Sequence, residues 1–92
     1  MQREDILLVI KKNAADVLSV GVEAIASTAK LSDLGANSMD RMEIVTMTME
    51  ALDVTFPLMA LAGIDSVEKL ARFFEEKIEA ASARTPAEAG SP

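Results

Sequence analysis

Ser38 is the residue of this chain best placed for chemistry, in the run DLGANSMD at positions 33–40. Asn37 and Ser38 are both favourable helix N-caps, and Gly35 suits a sharp turn into a helix. The pattern therefore predicts a hydroxyl at the positive end of a helix dipole. A phosphate group is stabilised at such a position.

Other chemistry is restricted by what the sequence lacks. The chain has no cysteine and no histidine, which excludes a cysteine nucleophile, a thiolate metal site and a serine–histidine triad. Nothing in the sequence places Lys30 beside Ser38 as a base. Two acidic pairs are present, Asp40 with Glu43 and Glu75 with Glu76. We interpret them as solvated helix faces rather than catalytic or metal-binding carboxylates. Any reactive thiol must come from an attached group or from a partner.

Composition favours one small cytoplasmic domain with protein partners. The 92 residues are 50% hydrophobic, and the three phenylalanines are the only aromatic residues, so we expect one aliphatic core without a platform for base stacking. The net charge of −6 argues against nucleic acid and anionic membranes and favours a basic partner surface. The alternative is that the negative charge serves only to keep the protein soluble. Neither a signal peptide nor a membrane span is predicted.

The spacing of apolar residues predicts an all-α fold with three substantial helices. The first runs from about Arg3 to Ser19, with Gly21 as its breaker, and has an apolar stripe made of Ile6, Leu7, Ile10, Ala14, Val17 and Leu18. A long ordered loop follows to residue 37, held to the core by Val22, Ile25 and Leu31, with room for a short helical turn.

The second helix is predicted from Ser38 to Leu52. Its methionines at 42 and 49 favour the core, whereas Met39 favours an exposed, adaptable patch.

The remaining part of the chain is predicted to form a short helix and a long one. The short helix spans Leu58 to Ala62, with Pro57 at its first position and Gly63 at its end. The last helix starts at Asp65 or Ser66, where Asp65 and Glu68 have the spacing of a capping box. Its apolar stripe is the most regular in the chain and comprises Val67, Leu70, Ala71, Phe74 and Ile78. We expect the domain to end at residue 81 and residues 82–92 to form a disordered tail.

These residues resemble the acyl carrier protein family. The run GANSMDRMEI at positions 35–44 is similar to the family's attachment pattern, commonly Gly-x-Asp-Ser-Leu followed by an apolar–Glu–apolar step. Asn37 and Met39 replace the usual aspartate and leucine. The resemblance covers about residues 3–80, including the order of the helices and the long first loop. It implies a four-helix acyl-carrier-type bundle in which one helix is short.

The resemblance also implies a function without catalysis. Ser38 would carry 4′-phosphopantetheine, transferred from coenzyme A by a phosphopantetheinyl transferase, and the thiol of that arm would hold an acyl group. More narrowly, the runs LGANSMDR at 34–41 and FPL…LAG at 56–63 resemble the freestanding donor carriers of polyketide β-branching cassettes.

Such donor carriers are loaded with an acetyl group and then deliver it, and each step uses a different class of partner enzyme. An acyltransferase and a decarboxylating ketosynthase-like enzyme leave an acetyl group on the carrier, and a 3-hydroxy-3-methylglutaryl-type synthase accepts it. The resemblance implies a monomer whose partner-reading face comprises Asn37, Met39, Asp40, Glu43, Leu58, Met59 and Leu61.

Two alternatives stay open at this point. One is a general polyketide or fatty-acid carrier that holds growing chains. The other is a small helical interaction module in which Ser38 is only part of a helix start.

Overall fold

The structure is a computed structural model that describes residues 2–89, with side chains described for residues 2–80. Within residues 2–89 the fold is all-α and contains no strand, as the apolar spacing predicted. Three helices dominate: α1 (Arg3–Leu18), α2 (Ser38–Leu52) and α3 (Val67–Ala89). Helix α1 packs against both α2 and α3. No helix in this part of the chain combines the length and the apolar character needed to cross a lipid bilayer.

The core is mainly aliphatic, as predicted, with one buried aromatic ring, and it receives residues from all three helices. Phe74 is its largest fully buried side chain. The stripes of α1 and α3 supply most of the rest, including Ile6, Ile10, Ala14, Val67, Leu70 and Ala71. Ile78, the last member of the α3 stripe, is half-buried against the core.

Helix α1 ends at Leu18 with Ser19 as its C-cap, two residues before the predicted glycine breaker. Ser19 adopts the left-handed conformation, with φ 58° and ψ 44°, and its N–H donates to the carbonyl of Ala15. Gly21 has an ordinary extended backbone with φ −74°. The prediction that Gly21 terminates the helix was therefore wrong, because a left-handed serine had already closed it.

The long loop between α1 and α2 contains two 3₁₀ turns, Val22–Ala24 and Ser32–Leu34. Ile25 and Leu31 are buried as predicted, whereas Val22 is 37% exposed and does not hold the loop to the core. Backbone hydrogen bonds join the loop to the start of α3: Leu31 N–H donates to the Asp65 carbonyl and Val67 N–H to the Ala29 carbonyl, each at 3.0 Å. These bonds fix the loop that leads into α2.

The short helix predicted over 58–62 is a third 3₁₀ turn, Leu58–Leu61. Pro57 precedes it with φ −65° and ψ 136° and lies outside the turn, so the prediction that it takes the first helical position was wrong. Proline is compatible with this position because it lies before the turn, where the N–H group that it lacks is not needed as a donor.

Helix α3 begins with a different cap from the predicted one. The hydroxyl of Ser66 accepts a hydrogen bond from the Lys69 N–H at 3.3 Å. The carboxylate of Asp65 instead bonds to Ser32 and Arg41, so the predicted capping box between Asp65 and Glu68 was wrong.

The backbone of α3 continues to Ala89, past residue 82 where the sequence predicts a tail. Side chains after residue 80 and the whole of residues 90–92 lie outside the described residues. The domain boundary at residue 81 stays a prediction.

Candidate functional site

Ser38 is the first residue of α2, and its side chain is exposed. The chain reaches it through Gly35, which adopts a left-handed conformation with φ 95°. A residue with a Cβ is strained there, so glycine allows the loop to turn into the helix. Because the first amides of a helix have no intrahelical acceptor, the N–H groups of Ser38 and Met39 are directed out of the start of α2.

Asn37 is the N-cap of α2. Its Oδ1 accepts a hydrogen bond from the Asp40 N–H at 2.8 Å, and the Asp40 carboxylate accepts one from the Asn37 N–H at 3.2 Å. This reciprocal pair is a capping box. The cap is thus provided by Asn37, and the Ser38 hydroxyl is left available for other chemistry.

Replacing Asn37 by alanine is expected to lower the free energy of unfolding by about 1 kcal/mol, since the acceptor for the Asp40 N–H is lost. Chemical denaturation followed by circular dichroism measures the change. The matched control is Asn37→Asp, which keeps an oxygen acceptor and adds negative charge at the helix N-terminus, so it should retain the wild-type value. Equal losses in both variants would show that the cap is not the cause.

A charged cluster lies next to this helix start. Arg41 Nη1 donates to Asp65 Oδ1 at 3.2 Å, and the Ser32 hydroxyl donates to Asp65 Oδ2 at 2.6 Å. The hydrogen bond from Ser32, together with that from Arg41, outweighs partial burial and holds the pKa of Asp65 below its usual value. The cluster joins the loop, α2 and the start of α3. We call the Arg41–Asp65 pair, with its bond from Ser32, the Arg41–Asp65 tie.

A pocket of about 200 Å³ opens beside Ser38. Ser38 and Arg41 lie on one side of it, and the third 3₁₀ turn with the segment leading to α3 forms the other. The lining is mainly apolar, with Leu58, Leu61 and Ile64 half-buried around it. An attached group of modest size could therefore extend either into solvent or into this pocket.

Apolar side chains are exposed around the site. Met39 is 77% exposed, as predicted for an adaptable patch, and Met59 is 87% exposed. Met42 is 52% exposed, so the prediction that it belongs to the core was wrong. The core positions of α2 are instead Ile44, Val45 and Thr48, which turns Met42 towards the pocket and solvent.

The predicted partner-reading residues divide into two groups in space. Asn37 and Glu43 are exposed and Asp40 is partly exposed, all on the first two turns of α2. Leu58 and Leu61 are half-buried and face the pocket that Ser38 lines. Sequence reasoning missed Arg41 and Asp65 as members of this site. The signal for Arg41 was its position three residues after Ser38, which places both on one helix face.

The acidic pairs form no metal centre in the part of the chain that the structure describes. Asp40 belongs to the capping box. Glu75 forms an ion pair with Arg3, whose Nη2 lies 2.7 Å from Glu75 Oε1. Both roles are structural.

An all-helical bundle with an exposed serine at the start of its second long helix is compatible with one class of protein, the small carriers of a covalently attached arm. The family described as "Phosphopantetheine attachment site" matches residues 9–74. This chain belongs to that family, the phosphopantetheine-bearing acyl carrier proteins, which are carriers and not catalysts.

Two relatives have similar lengths to this chain. The polyketide biosynthesis acyl-carrier-protein AcpK of Bacillus subtilis (strain 168) is 32% identical over 82 residues, which cover 88% of this chain and all of the relative. An acyl carrier protein of Prochlorococcus marinus (strain MIT 9515) is 35% identical over 78 residues, which cover 84% of this chain and 98% of the relative. The cofactor of the family is 4′-phosphopantetheine.

The residues at the start of α2 fit such a group. A phosphodiester needs an accessible hydroxyl and a positive environment, and Ser38 offers the first while the helix N-terminus offers the second. The Arg41 guanidinium lies on the same face of α2, where its charge is paired with the Asp65 carboxylate.

Proposed function

We propose that this protein carries an acyl group on 4′-phosphopantetheine attached to the Ser38 hydroxyl. The observation that supports the assignment most directly is the position of Ser38, exposed at the first residue of α2 and inside the segment matched by the family. Asn37 holds the helix start in place, so the hydroxyl is presented at a fixed position. Attached there, the group supplies a terminal thiol, which holds the acyl group as a thioester and replaces the cysteine that the chain lacks.

We further propose that the acyl group is acetyl and that the carrier donates it to a 3-hydroxy-3-methylglutaryl-type synthase during polyketide β-branching. The runs at residues 34–41 and 56–63 resemble the donor carriers of such cassettes. The similarity to a polyketide biosynthesis carrier supports a polyketide pathway. The other proposed partners are a phosphopantetheinyl transferase, an acyltransferase and a decarboxylating ketosynthase-like enzyme. With these partners, the proposed form is a monomer and the proposed site of action is the cytoplasm.

The proposed recognition surface surrounds Ser38. Met39 and Met59 offer exposed, flexible apolar contacts, while Asp40 and Glu43 offer negative charge. A partner of opposite charge would be attracted to this face of an acidic protein before the methionines are buried. The third 3₁₀ turn, which carries Leu58, Met59 and Leu61, is the proposed element of synthase selectivity because it forms the pocket wall opposite Ser38.

The donor role is tested by loading and then by transfer. Intact-protein mass spectrometry after incubation with a transferase and coenzyme A should show one added phosphopantetheine, and acetyl loading should add one acetyl group. The acetyl form is then mixed with a cassette synthase, and acetyl transfer to the synthase is measured by mass. We expect transfer from this carrier and little from a carrier that holds growing chains.

A general carrier role is the second candidate. It would be favoured if the loaded protein accepts long acyl groups while its acetyl form never transfers to a cassette synthase. Failure of several transferases to modify the folded protein would instead favour a helical interaction module and would contradict both carrier roles.

A further inference from the structure

The pocket beside Ser38 has two walls on different elements. One wall comes from α2, through Ser38, Met42 and Val45, and the other from residues 58–64, through Leu58, Leu61 and Ile64. A dry cavity of about 150 Å³ can admit a molecule of the size of benzene. At about 200 Å³, the pocket has room for an acyl chain of several carbons. Volume alone therefore does not decide whether a short chain enters it.

The Arg41–Asp65 tie spans the same two walls. Arg41 belongs to α2 and lines the pocket, whereas Asp65 immediately follows the segment that forms the opposite wall and does not line the pocket. The Arg41 side chain is 41% exposed and that of Asp65 is 21% exposed. An acyl chain that enters beside Arg41 must remove water from this partly hydrated ion pair or part the walls it holds. Both are unfavourable.

Resting on the proposed function, we infer that the Arg41–Asp65 tie determines how long an acyl chain must be before it leaves solvent for the pocket. Burial of each methylene favours the pocket by about fourfold. An ion pair of this exposure opposes opening by about two- to fivefold. The tie therefore raises the required chain length by about one carbon and offsets the gain from burying a single acetyl methyl, which leaves the acetyl thioester within reach of a partner enzyme.

Amide hydrogen exchange tests the tie in the unloaded protein. The Ile64 N–H donates to the Leu61 carbonyl at 2.9 Å, within the wall that the tie holds. In Arg41→Gln we expect exchange at Ile64 about two- to fivefold faster than in the wild type. The matched control is Glu75→Gln, which breaks the ion pair with Arg3 elsewhere and should leave Ile64 unchanged. A wild-type rate in Arg41→Gln, or equal acceleration in both variants, overturns the inference.

Chain-length dependence is then measured on the loaded protein. Acyl groups from acetyl to octanoyl are placed on the arm, and backbone NMR shifts of Val45, Ile64 and Leu70 report entry into the pocket. Asp65→Asn removes the charge and preserves side-chain size. In this variant, the shortest acyl chain that shifts these amides should be about one carbon shorter than in the wild type. Glu75→Gln should match the wild type, in which acetyl causes no shift. The inference is overturned if acetyl shifts these amides in the wild type. It is also overturned if the shortest chain that shifts them is the same in all three proteins.

If the proposed carrier function is wrong, the experimental result differs from the one that overturns this inference. In that case Ser38 gains no mass with the transferase, and no acyl series can be made. The hydrogen-exchange comparison still decides whether the tie holds the two walls together, because it uses the unloaded protein.

Discussion

Replacing Ser38 by alanine is expected to abolish the gain of phosphopantetheine completely and to leave the fold intact. The hydroxyl oxygen is the proposed point of attachment, and alanine offers no nucleophile in its place. The helix should persist because the cap belongs to Asn37 and alanine is the best helix former. We expect the free energy of unfolding to stay within about 0.5 kcal/mol of the wild type. Intact mass after incubation with transferase and coenzyme A measures loading, and circular dichroism measures folding.

Thr46→Ala is the matched control for this variant. Thr46 also presents an exposed hydroxyl on α2, but two turns further along and away from the helix start. It should gain one phosphopantetheine at the wild-type rate. A gain of the same mass by Ser38→Ala would sink the assignment of the site, and loss of loading in Thr46→Ala would point to damage of the whole helix.

The beginning of α2 could be predicted from the sequence because its signals are local. Gly35 supplies the left-handed turn and Asn37 supplies the cap, and both act within a few residues of the helix they start. The helix consequently begins at Ser38 and ends at Leu52, as predicted. The same reasoning failed at α3, where Asp65 had the right spacing for a cap but is held by groups far away in the chain.

The charged part of the site depends on such distant contacts. Ser32 and Asp65 are 33 positions apart, and Arg41 and Asp65 are 24 positions apart. No periodicity or cap pattern links residues at these separations. They meet because the loop pairs with the start of α3 through the Leu31 N–H and the Asp65 carbonyl. Sequence reasoning singled out Ser38 and missed the charges next to it for this reason.

Hydrophobicity alone also could not predict which face of α2 packs against the core. Its apolar band is wide, so several faces could be buried. Thr48 is fully buried because its hydroxyl donates to the Ile44 carbonyl at 2.8 Å and accepts from Asn13 Nδ2 at 2.9 Å. With Thr48 inside, Met42 lies on the exposed side next to the pocket. A satisfied hydroxyl allows a polar residue to take a core position that a hydrophobicity pattern does not mark.

The largest loss of stability is expected from Phe74→Ala. Phe74 is fully buried, and its ring meets that of Phe56 edge to face, with centroids 5.2 Å apart and an interplanar angle of 60°. Removing a fully buried phenylalanine leaves a cavity and costs about 3–5 kcal/mol. A small domain has about 5–15 kcal/mol in total. Urea unfolding should therefore show a large fall in the midpoint.

Phe73→Ala is the control, because the two neighbouring rings differ in burial and share a partner. The Phe73 ring also meets Phe56, with centroids 4.8 Å apart, but Phe73 is only half-buried and lies below Lys77, whose Nζ is 5.3 Å from the ring centroid. Its truncation opens a surface notch that water can fill, so we expect less than half of the loss seen for Phe74→Ala. Equal midpoints would show that contact with Phe56, rather than burial in the core, determines the contribution of each ring. Loading at Ser38 should follow the folded fraction in both variants, since neither ring lines the pocket beside that serine.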